Sequence, residues 1–94
     1  MKDYEIFKAA INAFGERKQE EVAIEECAEL IQAITHKHRG REHNIAEEIA
    51  DVEIMLEQLK IINFCRNEVA AIRESKIRRL SNRVFNKEVN NANL

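Results

Sequence analysis

Apolar residues recur at helical spacing along almost the whole chain, and four amphipathic helices follow from that pattern. The first is expected over about Asp3 to Phe14, with Phe7, Ala10, Ile11 and Phe14 on one face and Gly15 as its C-terminal stop. A second spans about Lys18 to His38 and ends at Gly40. A third is expected to start at Asn44, a residue type suited to an N-cap, and to run to about Ile62 on Ile45, Ile49, Val52, Met55, Leu56 and Leu59. After a break at 63–67, a fourth helix from about Glu68 to Phe85 carries Val69, Ile72, Leu80 and Val84, and 86–94 reads as a polar, frayed tail. Proline is absent and Gly15 and Gly40 are the only glycines, so little interrupts these segments.

The expected fold class is therefore all-α: a single domain over 1–94 whose four helices form an antiparallel bundle. A chain of 94 residues, 45% hydrophobic and 34% charged, has the balance of a globular protein but buries a modest core by itself. Completion by homo-oligomerisation, as a homodimer or homotetramer, follows as an expectation. The net charge of -2 argues against nucleic acid as a general partner, since that role needs an excess of Lys and Arg. Two isolated cysteines, Cys27 and Cys65, make no disulfide framework and suit a reducing cytoplasmic location. No signal peptide or membrane-spanning run is read, so no membrane partner is expected.

The candidate chemistry lies in two acidic pairs of equal spacing, Glu26-x-x-Glu29 and Glu48-x-x-Asp51. Residues three apart share a helix face, so each pair presents two carboxylates in one direction. The pairs lie symmetrically about Arg39-Gly40-Arg41. A hairpin folded there sets Glu29 opposite Glu48 and Glu26 opposite Asp51. The first pair shares its face with Val22, Leu30 and Ala33, and the second with Ile45, Val52 and Met55. Carboxylates placed within apolar stripes and close to one another call for a cation between them. Oxygen-only ligands suit Mg2+, with Mn2+ as the alternative, and Mg2+ sites commonly take substrate phosphates as well. The i,i+4 pairs Glu21/Glu25 and Glu53/Glu57 read instead as solvated faces.

The last helix carries a basic stripe, Lys76, Arg79 and Arg83, with Lys76 flanked by Ile72 and Leu80. It reads either as long stems covering apolar surface or as a clamp for phosphates. His36, His38 and His43 crowd the central turn, but no cysteine is near and they do not share a face, which argues against zinc. None has Glu three residues before it, which argues against a di-iron carboxylate bundle.

The run Ala10-Ile11-Asn12-Ala13-Phe14-Gly15, then Gln19, Glu25-Glu26-Cys27-Ala28-Glu29-Leu30, Glu47-Glu48-Ile49-Ala50-Asp51-Val52 and Lys76-Ile77-Arg78-Arg79-Leu80 resembles the MazG-like all-α nucleoside triphosphate pyrophosphohydrolases, in particular their short single-domain members. The resemblance implies a Mg2+-dependent enzyme that cleaves a nucleoside triphosphate between the α and β phosphates, from a helical dimer or a pair of dimers. It gives the metal to Glu26, Glu29, Glu48 and Asp51, and the phosphate tail to Lys76 and Arg79. Glu74 and Leu80 stand where longer members carry Asn and a second Arg, a departure that touches the phosphate contacts alone. Glu25 and Glu47 are the candidates for taking a proton from the attacking water, and Phe14 for lining a base-binding slot.

Two neighbouring activities use the same carboxylates, a phosphoribosyl-ATP pyrophosphatase and a dUTP- or dCTP-selective hydrolase. A reading of a different class is a non-catalytic helical dimer or adaptor whose acids recruit a cation for stability or face a basic partner.

Overall fold

The computed structural model describes the backbone over residues 2–92 and side chains over 2–86. The described residues are helical with short turns and contain no strand: α1 (Lys2–Phe14), α2 (Glu16–His38), α3 (Ile45–Ile62) and α4 (Arg66–Ala92). The all-α fold class expected from the apolar spacing is thus the one observed. The helix boundaries differ at three places. α2 begins at Glu16 rather than Lys18, and α4 begins at Arg66 and its backbone stays helical to Ala92. Of the expected tail, the side chains after Asn86 and the last two residues lie outside the described residues.

The early start of α2 has a local cause. Gly15 adopts φ 94°, a conformation that side-chain-bearing residues rarely take, so one residue ends α1 and precedes α2. Its N–H donates to the Ile11 carbonyl at 2.8 Å, and its own carbonyl accepts from the Gln19 N–H at 3.1 Å. Gly40, at φ 68°, closes α2 with the two bonds of a Schellman motif: Arg41 N–H to His36 O at 2.9 Å and Gly40 N–H to Lys37 O at 3.1 Å. α3 is followed by Phe64, a non-glycine residue at φ 52° that is 93% exposed and whose N–H donates to the Ile61 carbonyl at 3.2 Å.

The chain divides into two compact units, Met1–Phe64 and Cys65–Leu94. In the first, α2 packs along α3 and α1 packs against both. Ile11, Ala23, Ala33 and Met55 form its buried apolar core. Two small alanines let α2 approach its neighbours closely. Beside them lies a buried polar pair: Gln19 Nε2 donates to Gln58 Oε1 at 2.6 Å, and Gln58 Nε2 points at the Met55 sulfur at 3.7 Å. Phe7 and Ala10 of the expected α1 face are half-buried, whereas Phe14 is 66% exposed.

The second unit is α4. Val69, Ile72, Arg73, Lys76, Ile77 and Leu80 line one apolar strip along it, and Arg78 pairs with Glu74 at 3.4 Å on the exposed surface. Among the described residues, no helix is long and apolar enough to cross a membrane.

Candidate metal centre

Glu26 and Glu29 project from α2, Glu48 and Asp51 from α3. Three pairs define how these two helices align. Gln19 bonds to Gln58, the carboxyl of Glu26 reaches Asp51, and that of Glu29 reaches Glu48. Equal steps along α2 are matched by equal and opposite steps along α3, so the helices form an antiparallel hairpin and the acidic pairs stand level. Carboxylate oxygens of Glu26, Glu29 and Glu48 lie within 4.8 Å of one another, and so do those of Glu47, Glu48 and Asp51. Glu48 belongs to both groups.

Depth differs across the cluster. Glu48 is 6% exposed, Glu26 and Asp51 are half-buried, and Glu29 and Glu47 are exposed. Glu48 Oε1 accepts a hydrogen bond from Asn44 Nδ2 at 2.7 Å. Glu48 Oε2 and Glu26 Oε2 are buried and have no hydrogen-bond partner. A buried carboxylate oxygen left without a partner costs about 1–3 kcal/mol, which a bound cation, a proton or water would offset.

The electrostatics point the same way. Loss of solvent raises the Glu26 carboxyl above its ordinary 4.5, with Glu29 and Asp51 adding repulsion and Glu48 a smaller share. Glu29 is also raised, chiefly by the charge of Glu48, then by partial loss of solvent, with Asp51 and Glu25 contributing less. The carboxylates of Glu26, Glu29, Glu48 and Asp51 thus crowd one another, and a proton or a cation among them would relieve the repulsion. Carboxylate oxygens grouped in threes, with Glu48 in both groups, are hard donors of the kind that suits a divalent cation such as Mg2+ or Mn2+.

The other candidate residues lie as follows. Glu47 is exposed at the edge of the second carboxylate group. Glu25 is exposed on α2 next to Glu26, close enough for its charge to be felt by Glu29. Phe14 ends α1. Lys76 and Arg79 are exposed on α4, in the other compact unit. His36 is half-buried, while His38 and His43 are exposed, and His43 Nδ1 accepts the Ile45 N–H at 3.4 Å in a local turn contact.

One expectation at the site needs correction. Asn44 stands at the N-cap of α3, yet its side chain makes no capping bond, because its amide is turned to Glu48. The signal was present as an i,i+4 spacing between Asn44 and Glu48, but cap preference at that position masked it. The Gln19–Gln58 pair, by contrast, had no local signal, since its partners are brought together by the hairpin alone. No protein-family model, curated protein or solved structure matches this chain.

Proposed function

We propose that the protein is a divalent-cation-dependent nucleoside triphosphate pyrophosphohydrolase of the MazG-like kind, acting as a homo-oligomer whose helices complete an antiparallel bundle. The observation that carries this reading is the convergence of Glu26, Glu29, Glu48 and Asp51 from two helices, with two of their buried oxygens left open. The resemblance of the motifs supplies the reaction class.

In this reading the four carboxylates hold Mg2+, or Mn2+ in its place. A cation held there supplies neutralisation of phosphate charge and activation of water. The chain's own groups do the rest. Glu47, exposed beside Glu48 and Asp51, and Glu25, exposed beside Glu26, are the candidates for accepting the proton of the attacking water. Water adds to the α phosphorus as the bridging bond to the β phosphate breaks, giving a nucleoside monophosphate and pyrophosphate. By the resemblance, Lys76 would supply a point charge and Arg79 a planar fork for phosphate oxygens, and Phe14 is a candidate ring for a base.

The test is Glu29→Gln, which keeps the shape of the side chain and removes its charge. Hydrolysis of a nucleoside triphosphate panel with Mg2+ should yield monophosphate and pyrophosphate with the wild type. With the variant it should fall by more than about 100-fold, beyond what loss of a ligand's hydrogen-bonding partner costs. Wild type should gain about 2.7 kcal/mol of stability at Mg2+ a hundredfold above Kd, and the variant little. The cation-free variant should be folded and at least as stable as wild type, because a repelling charge is gone. Unchanged hydrolysis by Glu29→Gln would sink the metal assignment, and a diphosphate product would sink the cleavage position.

A further inference from the structure

We propose that Asn44 is a positioning residue of this metal centre: its carboxamide holds one oxygen of Glu48 so that the other is presented to the cation. The inference rests on the metal reading above and adds to it a residue outside the carboxylate set.

Asparagine at an N-cap ordinarily turns its side-chain oxygen onto the first free N–H groups of the helix. Asn44 does not. It makes no side-chain cap, and the Ile45 N–H instead meets His43 Nδ1. The Asn44 amide reaches one turn along α3 and donates from Nδ2 to Glu48 Oε1 at 2.7 Å. An ionised carboxylate only accepts, so the nitrogen of the carboxamide, and not its oxygen, must face Glu48. The capping contribution forgone has to be offset, and the one bond the side chain makes is to the most buried acid of the cluster.

The consequence for Glu48 is geometric. Glutamate is a long side chain with several rotatable bonds, and freezing it around a cation costs rotamer entropy. With Oε1 fixed by Asn44, Oε2 is the oxygen left without a partner at the point where Glu48 joins both carboxylate groups. The amide thus prepays the ordering of this ligand, as partners of metal ligands generally do. It also places a dipole, not a charge, beside Glu48, so it orients the group without competing for the cation.

The test is Asn44→Ser in the full chain, with Mn2+ chloride as the probe. Serine caps a helix about as well as asparagine but lacks the carboxamide N–H that Asn44 gives to Glu48. Mn2+ affinity, read by electron paramagnetic resonance of the free ion, should fall about 10- to 100-fold. Far-UV circular dichroism should stay at the wild-type value, and the cation-free melting midpoint should move little, because the cap that serine gains offsets the hydrogen bond lost at Glu48. The hydrolysis rate at saturating Mn2+ should return to the wild-type level, with the loss confined to the Mn2+ concentration required. Asn44→Thr, another cap-competent replacement, should behave in the same way and keeps the test open should serine unfold α3. Wild-type Mn2+ affinity in a folded variant would overturn the positioning role and leave the metal centre standing. Absence of Mn2+ binding by the wild type itself would overturn both.

Discussion

Glu26 and Glu29 are side chains whose ionisation opposes folding. Both carboxyls are raised above 4.5 in the folded chain, by lost solvent first at Glu26 and by the charge of Glu48 first at Glu29. The folded state therefore holds protons that the unfolded state has released, and stability falls as pH rises from 4.5 through the raised values. Substituting Glu26→Gln removes one such group. In chelator, the wild type should lose stability relative to Glu26→Gln as pH rises from 4.5 toward neutrality, read as the difference between their melting midpoints. With Mg2+ present the trend should reverse, because cation and proton compete for the same oxygens. A flat difference in chelator would mean that the two carboxyls are not crowded.

At the scale of the element, the hairpin of α2 and α3 is aligned by polar as well as apolar contacts. Small-residue packing at Ala23 and Ala33 brings the helices close without dictating one register, whereas the buried Gln19–Gln58 bond is satisfied in one alignment only. Replacing Gln58 by Leu should leave the Gln19 amide buried and unpaired, at a cost of about 1–3 kcal/mol in urea unfolding. The double substitution Gln19→Leu with Gln58→Leu should recover most of that loss, since apolar groups of similar shape need no partner. It should also loosen the alignment that levels the acidic pairs, so Mg2+ affinity should drop even where stability returns. Full stability in the single variant would show that water reaches Gln19 and that the pair is not closed.

For the whole molecule, the informative quantity is the apolar surface that a single chain leaves uncovered. Ile24 and Ile31 are 71% and 64% exposed, and they are one heptad apart on α2. Ile24 and Glu26 are two residues apart, about 200° around the helix, so this seam lies on the side of α2 away from the carboxylates. Phe64, Phe14 and Ile6 are also more than half exposed. Exposed apolar residues of this number among the described residues are what the proposed homo-oligomer would cover. Light scattering coupled to size exclusion should give a multiple of 11.0 kDa, and Ile24→Glu with Ile31→Glu should shift the mass toward a single chain. A monomeric wild type at micromolar concentration would remove the oligomer from the proposal.

What the amino-acid order determines here is everything that depends on spacing within one helix. The all-α class, the turn at Gly40 and the shared face of each acidic pair can be read locally, because the helical period relates residue number to direction. Symmetric placement about the turn extends that reading to the meeting of Glu26 with Asp51 and Glu29 with Glu48. Depth and competition between partners are another matter. That Glu48 is buried while Glu29 is exposed, that Gln19 finds Gln58, and that Asn44 gives its amide to a carboxylate instead of a helix end are settled when two helices close on each other. Each depends on which groups lose water, and that is a property of the packed hairpin and not of any segment of the chain.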